Sequence, residues 1–179
     1  MIKRMTIVVS PYSKRRTDGK PNAKNYPWWN EVLTDMSKDF DIIQLLYGDE
    51  PEVVCEVTGS PSPIGVARNG AFRKVEQLLK LSDGFMCVDN FLQHLAHYIG
   101  VRGVVLFGPS DPGIFGYREN LNLSTGKYRP FQFQTWQECE FNPDAFASPE
   151  TVITEATKFF LGGAECANSE VAAGSPHIA

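Results

Sequence analysis

Nowhere in the sequence does an apolar run approach the roughly 18 to 20 residues needed to cross a bilayer, so no membrane span is expected. Cysteine is scarce and scattered. Cys55, Cys87, Cys139 and Cys166 form no C-x-x-C pair, which argues against a zinc ribbon or a disulfide framework. The apolar stretch Met5 to Val9 is too short for the core of a secretory signal, and the thiols are expected to stay reduced in a soluble, cytoplasmic protein. Two glycine signatures are also missing. No G-x-G-x-x-G follows a strand and no G-x-x-x-x-G-K-[ST] occurs, which argues against a dinucleotide enzyme and a P-loop ATPase. There is no internal repeat.

What is present fits one ordinary globular domain. The 179 residues are 42% hydrophobic and 21% charged, enough to build a core and too apolar for wholesale disorder. One domain is expected over 1–161, followed by a disordered tail over 162–179 that is mostly Ala, Gly and Ser. The net charge of -4 is unevenly spread. Lys3, Arg4, Lys14, Arg15, Arg16, Lys20 and Lys24 face the single acid Asp18 within the first 24 residues. A basic segment in an acidic chain suits a phosphate-bearing ligand or a nucleic-acid backbone, and equally a solvated loop.

Met5-Thr6-Ile7-Val8-Val9 is a β-branched run ending at Ser10-Pro11, the pattern of a buried first strand. After a basic loop, Pro27 stands at a first helical position, and Trp28, Trp29, Val32, Leu33 and Met36 recur at helical spacing, predicting a helix over about 27–38. Residues 41–46 read as the second strand. Short strands at Val53-Val54-Cys55 and Ile64-Gly65-Val66 are both open, and Phe72, Val75, Leu78 and Leu79 mark an amphipathic helix over 71–82. The clearest unit is a strand over 84–88, a helix over 91–99 stopped by Gly100, and a strand over 101–107. Links this short make a right-handed βαβ unit with parallel strands. Residues 108–135 read as irregular except for a strand over 131–134, and Ser148 caps a last helix running to about Leu161. The alternation predicts an α/β fold: an open, mostly parallel, Rossmann-like sheet with helices on both faces. Its ligand would sit outside the carboxyl ends of the strands.

The informative residues are therefore those just after each strand: Ser10 to Lys24, Gly48 to Glu50, Asp89 to His94, and Gly108 to Gly116. A helix opening near Asn90 would point amide donors and its positive dipole end at the shared crevice, which suits a phosphate. Asp89 reads as a ligand contact, as the cap of that helix, or as both. His94 and His97 stand at i and i+3 but lack a third ligand at a matching interval, and no metal site is expected. Gly108-Pro109-Ser110-Asp111-Pro112-Gly113 is a tight, preset loop that brings amides to a ligand or merely turns the chain.

Two segments together carry a resemblance. Asp89-Asn90-Phe91-Leu92-Gln93-His94-Leu95, followed by Phe107-Gly108-Pro109-Ser110-Asp111-Pro112, resembles the heptosyltransferase-like glycosyltransferases of family 9. That family has an Asp-(Ser/Thr)-Gly-x-x-His-Leu segment, a strand and a Phe-Gly-Pro-Thr-(Asp/Glu)-Pro loop in this order. Lys24-Asn25-Tyr26-Pro27-Trp28 is similar to its lysine before a Trp-Pro helix start, and Gly48-Asp49-Glu50 to its Gly-x-x-Glu. The resemblance implies the carboxyl-terminal half of a GT-B transferase, which takes a nucleotide-sugar as donor and needs no cofactor. Lys24 would neutralise donor phosphate, Glu50 would bond ribose hydroxyls, and Asp89, Asn90 and His94 would frame the diphosphate, with Ser110 and Asp111 in the loop beside it.

Phe91 stands where the family has Gly, and Asn90 replaces a hydroxyl residue. The family's acceptor domain, with its catalytic acid, has no counterpart before Met5, so no residue is assigned as the base; Glu50, Asp89 and Asp111 are the candidates for that role if the chain works alone. Three readings follow. The chain is a transferase whose acceptor half comes from a partner chain or a homo-oligomer, or a non-catalytic nucleotide-sugar-binding or regulatory module. The least favoured reading is a small DNA-modifying sugar transferase in which Tyr26, Trp28 and Trp29 stack on bases.

Overall fold

The computed structural model describes residues 4–53, 64–134 and 139–170. Six strands form one sheet: β1 (Met5–Ser10), β2 (Phe40–Leu46), β3 (Ile64–Arg68), β4 (Gly84–Val88), β5 (Gly103–Leu106) and β6 (Leu121–Leu123). The helices are α1 (Trp29–Met36), α2 (Phe72–Leu81), α3 (Phe91–Ile99), the single turn α4 (Pro112–Phe115) and α5 (Pro149–Glu170). The order across the sheet is β3-β2-β1-β4-β5-β6, and every neighbouring pair is parallel. The chain winds outward one way from β1 and the other way from β4. The switch point of this doubly wound sheet lies between those two strands.

Alternation along the central strands sorts the core into two layers. Ile7 and Val9 of β1, Met86 and Val88 of β4, and Val104 and Leu106 of β5 face α1 and α5, meeting Trp29, Leu33, Val152 and Phe160. Val8, Phe85, Cys87 and Val105 face the other way, onto Val75 and Leu79 of α2 and Leu92 and Leu95 of α3. Both faces are covered, which is why these strands read as continuous apolar runs. Burial pushes the Cys87 thiol well above its ordinary pKa, with the charge of Asp89 adding to the effect, so this thiol behaves as a small hydrophobe.

Gly103 opens β5 because nothing larger fits. A Cβ there would lie 2.4 Å from the Phe85 carbonyl oxygen and 2.4 Å from its ring. Gly103→Ala is expected to destabilise the fold by about 1–3 kcal/mol, the usual range for overpacking. Denaturant unfolding checks this, and a midpoint equal to that of the wild type would remove the argument.

The predicted elements hold with several corrections. The first helix begins at Trp29 rather than 27, since residues 27 and 28 form a turn; the Tyr26 hydroxyl donates to the Ala147 carbonyl and the Trp29 indole to that of Pro11. Of the two strands left open over 52–70, the one at Ile64 exists as β3, while Val54-Cys55 lies outside the described residues. β6 was unexpected within 108–135. The strand expected over 131–134 is absent: residues 132–134 turn, and the buried Gln132 amide donates to the Pro109 and Arg129 carbonyls while its oxygen accepts from the Asp111 N–H. The alternation Phe131-Gln132-Phe133-Gln134 imitates a strand, but its buried member is the glutamine. The last helix runs to Glu170 rather than ending near Leu161, and residues 171–179 of the expected tail lie outside the described residues. A helix already nucleated propagates cheaply through Ala164, Glu165 and Ala167, and the Gly162-Gly163 pair does not stop it.

Candidate functional site

The carboxyl ends of β1 and β4 meet at the switch point, and Asn90 joins them. Its side-chain oxygen accepts from the Leu92 N–H at 2.9 Å, so Asn90 rather than Asp89 caps α3. Its amide nitrogen donates to the Ser10 hydroxyl at 3.0 Å and the Tyr12 carbonyl at 2.9 Å, fastening the loop after β1 to the start of α3. Asp89 is released from capping and does something else. One carboxylate oxygen accepts from Lys24 Nζ at 2.7 Å and the other from Gln93 Nε2 at 2.7 Å. Both partners of this ion pair are inside the protein, with side chains 13% and 5% exposed. The Lys24 ammonium also stands 5.7 Å from the centre of the Phe115 ring, which links it to α4.

Beside Asn90 opens a cavity of about 640 Å³, within the range of small-molecule sites. It is walled by the segments after four consecutive parallel neighbours: Tyr12 to Arg15 after β1, Tyr47 to Glu50 after β2, Gly70 and Phe72 after β3, and Asn90 and Phe91 after β4. Its wall therefore combines aromatic rings, one carboxylate and two cations. The rings of Tyr47 and Phe91 meet edge to face, 5.6 Å apart. Glu50 is set by its own turn, in which its carboxylate accepts from the Tyr47 N–H at 2.7 Å. Burial raises the Glu50 carboxyl above its ordinary pKa, and the Tyr47 hydrogen bond and the Arg68 charge oppose that rise. Burial first, and then the charge of Glu50, raises the Tyr12 and Tyr47 phenols, so both remain neutral hydroxyls.

Of the residues expected at the site, Glu50 and Asn90 line this cavity, and Lys24 and Asp89 form the buried pair next to it. His94 does not join them. It faces away along α3, its Nδ1 lying 2.9 Å from the Tyr117 hydroxyl, while His97 stacks on the Tyr117 ring at 3.8 Å and pairs with Glu119. Asp111 caps α4, accepting from the Gly113 N–H at 2.7 Å. Ser110 is fully buried in the same loop, and its hydroxyl has no hydrogen-bond partner among the described residues. Gly108 has a packing reason, because a Cβ there would lie 2.2 Å from the Phe146 ring. Tyr26 and Trp29, two of the three rings considered for base stacking, are buried in the core.

Sequence reasoning covered Tyr12 only within the span Ser10 to Lys24 and missed Tyr47 and Phe72 as wall residues. Each lies within a few residues of a strand's carboxyl end. Applying the strand-end rule to aromatic as well as polar residues would have found them.

No family model and no curated protein sequence matches this chain. Solved structures do. ADP-heptose lps heptosyltransferase II of E. coli superposes with a TM-score of 0.63 at 15% identity, covering 91% of this chain and 48% of that one. The chain shares its fold with part of a heptosyltransferase. A second heptosyltransferase, TibC, dodecameric and iron-containing and solved in complex with ADP-D-beta-D-heptose, gives a TM-score of 0.52 at 14% identity over 83% of this chain and 37% of that one. The chain thus spans less than half the length of either. Among the described residues no group of three or more His, Cys, Asp or Glu is placed to hold a metal ion. Nor is any helix among them long and apolar enough to cross a membrane.

Proposed function

We propose that this chain is the donor-binding half of a cytoplasmic glycosyltransferase and holds a nucleotide-sugar in the cavity at the ends of β1 to β4. One observation carries the reading: a single cavity at the switch point of a heptosyltransferase-type sheet brings rings, a carboxylate and cations to one wall. The base would lie among Tyr12, Tyr47, Phe72 and Phe91. The two Glu50 oxygens would accept from ribose hydroxyls. The cations would take the diphosphate, as an electropositive loop suits.

In transfer, an acceptor hydroxyl attacks the anomeric carbon, the bond to the diphosphate oxygen breaks, and the nucleoside diphosphate leaves with the bonding pair. Cations at the diphosphate stabilise that leaving charge. The base that takes the acceptor proton would come from an acceptor-binding partner domain or chain, or from a second copy of this one. Isothermal calorimetry with a panel of ADP-, UDP-, GDP-, CDP- and dTDP-sugars is expected to find at least one binder. A panel without any binder would overturn the reading.

A second reading, binding without transfer, is favoured by Phe91, whose ring stands at the cavity wall on the first residue of α3. Nucleotide release followed by chromatography, with the chain alone and with candidate acceptor proteins, separates the two. Tight binding with no product in any mixture selects the module.

A further inference from the structure

The loop after β1 carries three consecutive cations, and they are not equivalent. Arg16 turns inward, where its guanidinium pairs with Asp18 at 2.8 Å and donates to the Cys139 carbonyl at 3.0 Å. Gly19, at φ +78, closes the same turn by donating its N–H to the Arg16 carbonyl. Two further bonds pin the loop: Asn22 Nδ2 donates to the Lys14 carbonyl at 3.0 Å and the Ser13 N–H to Asn25 Oδ1 at 2.8 Å. Held this way, the loop leaves Lys14 and Arg15 on the cavity wall. Lys14 makes no ion pair among the described residues, and Arg15 reaches Asp49, itself 79% exposed. An exposed pair of this kind is weak and screened, so an anion can take the place of Asp49.

The elements that resemblance would use for phosphate are otherwise engaged. Lys24 is not on the cavity wall and is committed to Asp89. At the start of α3, the Leu92 N–H is taken by Asn90, and the Phe91 ring occupies the cavity side. We propose that Lys14 and Arg15, rather than Lys24 and the amide end of α3, hold the diphosphate of the bound nucleotide. This rests on the reading of the cavity as a nucleotide-sugar site.

The test compares the wild type with K14Q/R15Q, both changes being on exposed side chains. Calorimetry is run with ADP, UDP, GDP, CDP and dTDP and with the matching nucleosides. For the diphosphate that the wild type binds, affinity is expected to fall about ten- to hundredfold in the variant, the scale of losing charge-assisted hydrogen bonds. The nucleoside, which lacks phosphate, is expected to bind both proteins alike. Equal diphosphate affinity in the two proteins would overturn the assignment, as would a parallel loss for the nucleoside. A wild type that binds no member of the panel would overturn the nucleotide reading itself, and the assignment with it.

Discussion

Lys24→Met is expected to destabilise the protein by about 3–5 kcal/mol, the range for removing one partner of a buried ion pair. Methionine keeps most of the side-chain volume, so the loss is electrostatic and not a cavity effect. What remains is the Asp89 carboxylate, 5% exposed and held by Gln93 Nε2. For a chain of this size each kcal/mol moves the melting temperature by about 2–4 °C, so a drop on the order of 10 °C should appear by calorimetry. The double variant K24M/D89L removes both charges and is expected to regain most of the loss, because replacing a buried pair with apolar groups is often near neutral. If K24M alone melts within about 1 °C of the wild type, the pair does not hold the loop after β1 against α3.

That pairing was hidden in the sequence for a physical reason. Lys24 and Asp89 are 65 residues apart, and only the parallel register of β1 on β4, Ser10 opposite Cys87, brings their loops together. What could be read were features with local causes. β4, α3 and the stop at Gly100 follow from an apolar run, a helical period and a residue at φ +76. The cap was legible as a place but not as a residue, since Asp89 and Asn90 are both good N-caps. Asn90 takes the role because its amide can also donate to Ser10 and Tyr12, which a carboxylate cannot do.

β6 illustrates the opposite limit. Three residues, Leu121-Asn122-Leu123, carry too little pattern to be read as a strand, and the parallel edge of β5 supplies the reason they extend. In the cavity the polar candidates Glu50 and Asn90 were legible because strand-end carboxylates and amides stand out. The rings around them looked like core. Phe72 opens α2 at the place where its amphipathic pattern begins, yet it is 61% exposed and faces the cavity.

Glu50→Gln separates binding from folding most sharply. Gln keeps an oxygen that can accept from the Tyr47 N–H, so the turn at 47–50 stays closed. Because burial raises the Glu50 carboxyl in the folded state, the fold binds its proton more tightly than the unfolded chain does. Its contribution favours folding below the unfolded pKa and is lost as pH rises through the folded one. At pH 7 the charged form thus opposes folding, and E50Q is expected to be at least as stable as the wild type. Binding moves the other way. With one acceptor oxygen in place of two and no charge, E50Q should hold the nucleotide about 10- to 100-fold more weakly at pH 7. Wild-type affinity should fall as pH drops toward the Glu50 pKa, which burial holds above its ordinary value. A free nucleoside diphosphate also titrates at its terminal phosphate, so the quantity to measure is the ratio of wild-type to E50Q affinity at each pH. A ratio that stays constant as pH falls from 7 to about 4, through the ordinary glutamate range, would show that the carboxylate of Glu50 is not what the nucleotide meets.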